Sequence, residues 1–439
     1  MWNLLLLCVA PAAQELPAEL PLVCDQLARR ALRLEGVPGL SIAVAQGETL
    51  GFARAYGLAD PVAGLRMETD TRLPLGSLER PLLASLALSA VAEKRLSLDA
   101  PLSQCLRGAP EAWAAITLEQ LLNGTSGLPS TSDLVGALAA RERAQALDRP
   151  SFLEFAGGLP LAFTPGTRHV HDTIAWRLLP WILSDAFGEP LEKLLATQLY
   201  SVADLEHTGA CPEALRPVGY ARDCRDLDTG RERQLFAASE PLEVRAGLCS
   251  TPADVLRWWA AVRSDRIPAR RLLESGRFLD GQRTGHGMGL AIERLASEPR
   301  WVHDGGISGF RASLGASASG EVAVCVMATC ASAGTGDIEE EIERFCAGLP
   351  PKSDLALPVD AARAADWIGD YLLGTTRIKL FLRDDKLVYM SPAEELELSS
   401  QGLGRFTAGE LELVMQPQSG RAEGFSERRK GAESRARRQ

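Results

Sequence analysis

In the segment LPLGSLERPLLASLALSAVAEKRLSLDAPL, Leu73 to Leu102, Ser77 heads an apolar run and a basic residue, Arg80, follows three positions on. Residues three apart on a helix share a face, so the two side chains can meet. A hydroxyl beside a basic group is the usual arrangement of an activated nucleophile. Arginine, however, stays protonated in proteins and offers no lone pair for the serine proton. It can hold an alkoxide or oxyanion by charge, but it cannot act as a base. This pair can therefore stabilise charge without moving a proton, and any base must come from elsewhere.

The elements that position the pair follow from periodicity. Apolar residues at Leu78, Leu82, Leu86, Val91 and Leu96, with few polar ones between, predict a helix buried on most sides. Pro81 falls in its first turn, where few amide donors are needed. Upstream, PGLSIAVAQGETLGFARAYGLAD, Pro38 to Asp60, reads as two strands around a Gln46-Gly47 turn. From about Ile116 to Phe236 helical spacing dominates, in ITLEQLL, SDLVGALAARERAQAL and TIAWRLLPWILSDAFG. STPADVLRWWAAV carries a helix cap at Ser250 or Thr251, Pro252 at the first helical position, then Asp254. GHGMGLAIERL, RWVHDGGISGFRASLGASA and EVAVCVMATC read as strands between Gly-rich turns, and DIEEEIERFCAGL as a final helix. The order predicts one sheet closed by both ends of a domain spanning 20–349, with an all-helical insert at about 105–235. Residues 350–361 read as a proline-bearing linker. Residues 362–426 alternate as short strands of a small antiparallel β domain. The basic end, 427–439, has no apolar run and reads as a disordered, solvated tail.

Composition narrows the function classes. The chain has 439 residues, enough for two domains. A net charge of -10 argues against nucleic acid as a partner, since phosphate binding needs a basic face. MWNLLLLCVAPAAQELPAEL reads as a signal peptide over 1–19, with an apolar core at Trp2 to Val9 and small residues at Ala10-Pro11-Ala12. The expected location is therefore exported, periplasmic or extracellular. No later run is long and apolar enough to span a bilayer. The nine cysteines form no CxxC and do not cluster with histidine, and His169, His207 and His286 show no pairing with acidic or thiol ligands. No metal and no cofactor are expected. Export permits disulfides, but the spacings of Cys211/Cys224 and Cys325/Cys330/Cys346 assign no partners, and buried apolar thiols fit as well.

Eight segments, in order, carry a resemblance: GVPGLSIAVAQGETLGFARAYGLAD, LPLGSLER, KRLSLDAPLSQCL, ITLEQLLNGTSGLP, PGTRHVHDTIAW, RAGLCSTPADVLRW, GHGMGLAIE and HDGGISGF. Over roughly residues 35 to 330 the chain resembles the serine β-lactamase-related family, in the branch near class C β-lactamases, D-alanyl-D-alanine carboxypeptidases and related esterases. The resemblance implies an α+β sandwich: an antiparallel sheet flanked by helices, plus an all-helical subdomain. The C-terminal β domain resembles the lipocalin-like addition that many members carry. Such enzymes use Ser-x-x-Lys, Tyr-x-Asn, and Lys-Thr-Gly or His-x-Gly to form an acyl-enzyme that water then clears.

Carried over residue by residue, Ser77 stands at the nucleophile position and Arg80 where lysine belongs. His171 and Thr173 stand where tyrosine and asparagine belong. His303-Asp304-Gly305 matches His-x-Gly, with His303, Gly305 and Gly306 on the substrate-binding and oxyanion side and the amides of Ser77 and Gly306 as oxyanion donors. Gly124 replaces a common histidine, read as background variation. An imidazole at 171 can take the serine proton near neutral pH, so Ser77 and His171 form a possible dyad. The favoured reading is an impaired member that binds a small molecule or peptide in the old cleft. The alternative is an active acyl-hydrolase (esterase, peptidase or β-lactam-reactive enzyme) with Ser77 as nucleophile and His171 as base. A third reading sets the cleft aside and gives binding to the C-terminal β domain.

Overall fold

The structure, a computed structural model, describes residues 15–130, 148–170, 173–211, 219–220, 233–234, 247–307, 309–319, 321–352, 361–383, 386–402, 405–408, 411–416, 422–429 and 432–439. The signal segment lies almost wholly outside them, as do the expected helix in SDLVGALAARERAQAL, Cys224 and most of the 350–361 linker. The chain divides into two compact units: Met1–Glu15 with Val37–Glu339, and Leu16–Gly36 with Glu340–Gln439.

The first unit is built on an antiparallel sheet of seven strands. In chain order its strands and their small neighbours are β1 (Gly39–Gln46), β2 (Thr49–Asp60), β3 (Leu65–Arg66), β4 (Leu73–Pro74), β5 (Gly209–Ala210), β6 (Gly219–Tyr220), β7 (Arg233–Gln234), β8 (Leu248–Ser250), β9 (Ala291–Leu295), β10 (Glu298–Ile307), β11 (Phe310–Ser317) and β12 (Val322–Ala328). The main sheet runs β3-β2-β1-β12-β11-β10-β9. The expected hairpin forms at Gln46, and β1 then pairs with β12, Leu40 opposite Ala328, so both ends of the domain close one sheet. β9 is shorter than GHGMGLAIERL predicts, because three glycines between residues 285 and 289 turn the chain before it can extend.

The expected apolar helix begins as a 3-10 turn at Gly76–Leu78 and runs as an α-helix over Glu79–Ala92. Every residue from Glu79 to Ala90 is buried. Its internal serines are spent in hydrogen bonds: Ser85 Oγ donates to the Leu82 carbonyl at 2.7 Å and accepts from Trp258 Nε1 at 3.0 Å. Trp258 comes from the helix Pro252–Arg263, whose Thr251 side chain accepts from the Asp254 amide, as the sequence cap predicts. Among the described residues, the insert is helical through Tyr200. It holds Leu118–Leu122, closed by a Thr117/Gln120 capping box, then Arg149–Gly157 and Thr173–Phe187, and it ends in a π-helical turn at Leu195–Tyr200. The short strands β5 to β7 follow, which corrects the all-helical reading of 105–235. Cys211 and Cys249 form a disulfide across 38 residues, a pairing that spacing did not assign.

In the second unit, helices Leu20–Leu34 and Ala361–Trp367 accompany eight further strands: β13 (Gly369–Leu373), β14 (Thr376–Arg383), β15 (Lys386–Met390), β16 (Glu395–Gly402), β17 (Arg405–Ala408), β18 (Leu411–Gln416), β19 (Gly424–Arg429) and β20 (Ala432–Arg438). They close in sequence order into a barrel, β20 returning to β13 with Arg438 opposite Tyr371. Trp367, Tyr371, Phe406 and Phe425 fill its interior. The segment 427–439 is therefore not a disordered tail. Closing the barrel requires an eighth strand, and among the described side chains of β20 Ala436 alone is apolar and buried.

Candidate active site

The turn Gly76–Leu78 carries Ser77 between β4 and the buried helix. β8 pairs with β4 and braces this turn: the Leu75 amide donates to the Leu248 carbonyl at 2.9 Å, and the Leu248 amide donates to Glu79 Oε2 at 3.2 Å. β8 also carries Cys249, half of the disulfide, so the strand behind the nucleophile turn is covalently tied.

β10 brings the glycines of the third motif against the same turn. A Cβ on Gly76, whose φ is +53°, would meet the Gly306 backbone at 2.9 Å. A Cβ on Gly305 would lie 2.1 Å from the Leu75 carbonyl oxygen and 2.9 Å from the Leu78 amide nitrogen. Only glycine permits this approach at either position. β9 pairs with residues 298–302 of β10, so among the described residues the run His303–Ile307 has β11 alone as a neighbouring strand.

His303 and Gly305 are two apart on a strand and share a face, so His303 points toward the Glu79–Ala92 helix. There it lines a cavity of about 220 Å³ with Arg80, Asn123, Gly124, His169, Trp176, His286 and Glu293. Arg80 is buried, and its guanidinium carbon lies 5.9 Å from the centre of the Trp176 ring, a cation–π contact across to the helix Thr173–Phe187. His303 Nδ1 lies 2.5 Å from the Gly289 carbonyl oxygen. Gly289, at φ +89°, packs directly on the helix: a Cβ there would meet Pro81 N at 3.0 Å and Arg80 C at 3.3 Å. The Gly287–Gly289 turn thus joins the imidazole of His303 to the backbone beside Arg80.

The opposite wall holds two more imidazoles. His169 and His286 stack with ring centres 3.8 Å apart and planes inclined by 17°. Burial, and then the neighbouring His286, push His169 down to about 4.

Of the expected residues, the fold brings Ser77, Gly305 and Gly306 together at one turn, and Arg80 and His303 into one cavity. His171 lies outside the described residues, and so does the side chain of Thr173, which opens the helix Thr173–Phe187. Sequence reasoning missed Gly289, Trp176 and the His169–His286 stack. The repeated glycines of GHGMG were the available signal for Gly289, while the stack joins segments more than a hundred residues apart. Among the described residues no group of His, Cys, Asp or Glu side chains is arranged to hold a metal ion, and no helix is long and apolar enough to cross a membrane.

The Ser77 turn, a glycine-bearing strand packed on it and a buried basic residue one helical turn along lie together in this part of the fold. Residues 24–348 match the Beta-lactamase family, and the chain belongs to it. The chain is 24% identical over 353 residues to the D-aminopeptidase of Brucella canis, covering 79% of this chain and 66% of that protein. It thus spans just under two thirds of that relative's length. In fold it resembles the octameric penicillin-binding protein homologue from Pyrococcus abyssi, with a TM-score of 0.62 at 17% identity over 95% of this chain and 98% of that one. It also resembles the D-amino acid amidase from Ochrobactrum anthropi SV3, with a TM-score of 0.61 at 18% identity over 75% of this chain and 99% of that one.

Proposed function

We propose that this chain is an impaired serine acyl-hydrolase that works chiefly by binding an acyl compound, amide or small peptide in its cleft. The observation that carries the reading is Arg80. It is buried and it faces Trp176, and an arginine stays protonated in proteins. A lysine at this position can lose its proton when buried and so serve as a base; an arginine cannot. What remains is a fixed cation that favours a ligand carrying a carboxylate or a polarised carbonyl. Among the described residues the run His303–Ile307 has a strand on one side alone, which supports an extended ligand, because such an edge can pair with a peptide backbone. Amides and short peptides of D-amino acids are the ligand class that the relatives suggest. The Cys211–Cys249 bridge favours an oxidising, exported location, in keeping with residues 1–19 as a signal peptide.

Calorimetry tests the reading with D-phenylalanine amide and an acyl-D-alanyl-D-alanine peptide. We expect saturable binding, hydrolysis slower than binding by orders of magnitude, and weaker binding in Arg80→Ala. Rapid turnover by the wild type, or affinity unchanged in Arg80→Ala, would overturn it.

The second reading, residual acyl-hydrolase activity, is favoured by one observation, the fixed orientation of the His303 imidazole beside the Gly289 carbonyl.

A further inference from the structure

Asn123 ends the helix Leu118–Leu122 and lines the same cavity as Arg80 and His286. Its backbone needs nothing from the side chain. The amide donates to the Glu119 carbonyl at 2.9 Å, and φ is -82°, an ordinary value at a helix end. The carboxamide is a different matter. Asn123 is only 4% exposed, and among the described residues nothing donates a hydrogen bond to its Oδ1. A buried oxygen left without a donor is destabilising, and an apolar side chain of similar size would avoid the loss. Packing nevertheless holds the group in place. A Cβ on Gly276 would lie 2.8 Å from Asn123 Cγ, 2.9 Å from Nδ2 and 3.1 Å from Oδ1, so the flat of the carboxamide rests on that glycine. Gly276 is itself fixed: its amide donates to the His286 carbonyl at 2.8 Å, and its carbonyl accepts from the Thr284 amide at 2.9 Å. A half turn about the Asn123 Cβ–Cγ bond exchanges Oδ1 and Nδ2 and keeps this contact. The cavity's arginine offers donors alone, so the carboxamide supplies the acceptor that Arg80 lacks.

We propose that Asn123 is a specificity-determining residue of this cleft: its carboxamide oxygen accepts a hydrogen bond from the N–H of a bound amide, so the cleft takes amides and peptides in preference to esters. The proposal rests on the reading that the cleft binds acyl compounds, and it names the class among them. An amide N–H completes the buried oxygen. An ester sets a second acceptor opposite it and leaves both without a hydrogen. A site built to bond an N–H rejects the analogue that lacks one, because its own buried polar group is then unpaired. An amide carries a donor and an acceptor, so it satisfies the carboxamide in either orientation about Cβ–Cγ.

The test is calorimetry with D-phenylalanine N-methylamide and D-phenylalanine methyl ester, which differ only in N–H against oxygen. The parent is the full chain carrying Ser77→Ala, so that neither ligand is consumed. It should bind the N-methylamide about tenfold or more tighter than the ester, the scale of one unpaired buried group. Asn123→Leu should lose the preference by weakening the amide to the level of the ester. Asn123→Asp, which keeps an acceptor, should retain it. A merely structural role for Asn123 would leave the ratio of the two affinities unmoved. Equal affinities in the parent overturn the proposal without any further variant, as does a preference that survives in Asn123→Leu. If both ligands bind with equal strength, the ligand-binding reading stands and this proposal alone falls. If neither binds, both fall.

Discussion

The imidazole of His169 occupies the room that a side chain at Gly124 would need. A Cβ built on Gly124 would lie 2.9 Å from His169 Nε2 and 2.9 Å from the Val170 carbonyl oxygen. Here the motif position is empty of side chain, and an imidazole from another loop fills the space. Gly124→Ala should therefore cost roughly 1–3 kcal/mol, because φ is +67° and the site is already filled. In a double-mutant cycle with His169→Ala, urea midpoints should show part of that loss recovered. Additive losses would mean that the two positions do not share the space.

The legibility of the chain in its sequence divides along the same line. Features set by local chemistry could be read directly: the hairpin at Gln46, the apolar helix after Ser77, and the Thr251 cap. The filling of the space beside Gly124 by His169 could not, because it depends on two loops meeting in space. The basic end misled for a related reason. Among the residues of β20 whose side chains are described, only Ala436 is buried, so the strand carries almost no hydrophobic signal and is defined by the edges of β13 and β19. At the Gly76–Leu78 turn, Ser77 and Gly305–Gly306 were legible as motif residues, whereas Gly289 acts through its backbone and leaves only a glycine in the text.

His169 also makes a pH prediction. Its pKa is about 4 in the folded chain against about 6.5 when unfolded, so the unfolded state binds more protons between those values. Stability from this group is complete above about pH 6.5 and declines as the pH falls toward 4. Urea midpoints measured across that window should slope for the wild type and flatten in His169→Gln. An unchanged slope would place the acid sensitivity elsewhere.

Gly289→Ala should damage the cleft more than the fold. The new methyl group meets Pro81 and needs φ near +89°, a cost of roughly 1–3 kcal/mol, and it pushes the carbonyl that holds His303 away from the helix. Fluorophosphonate labelling of Ser77 should fall in the variant under conditions where circular dichroism still reports a folded chain. Normal labelling would separate the Gly287–Gly289 turn from the chemistry.

Cys211→Ser removes a bridge across 38 residues behind the nucleophile turn. A loss of about 2–4 kcal/mol is expected from the unfolded chain's regained freedom. Reductant should lower the wild-type midpoint toward that of the variant and leave the variant unmoved. A midpoint indifferent to reductant would show that the bridge does not support the fold.

The proposed impairment rests on Arg80, which stands one helical turn from Ser77 and offers no proton acceptor. The most direct measurement is steady-state hydrolysis of one ester or amide substrate by the wild type and by Arg80→Lys, side by side. The account predicts a gain of about 10²-fold or more in kcat for the lysine variant, the scale of general acid–base help, with little change in binding. A wild type that already turns over briskly and loses activity on Arg80→Lys would contradict it.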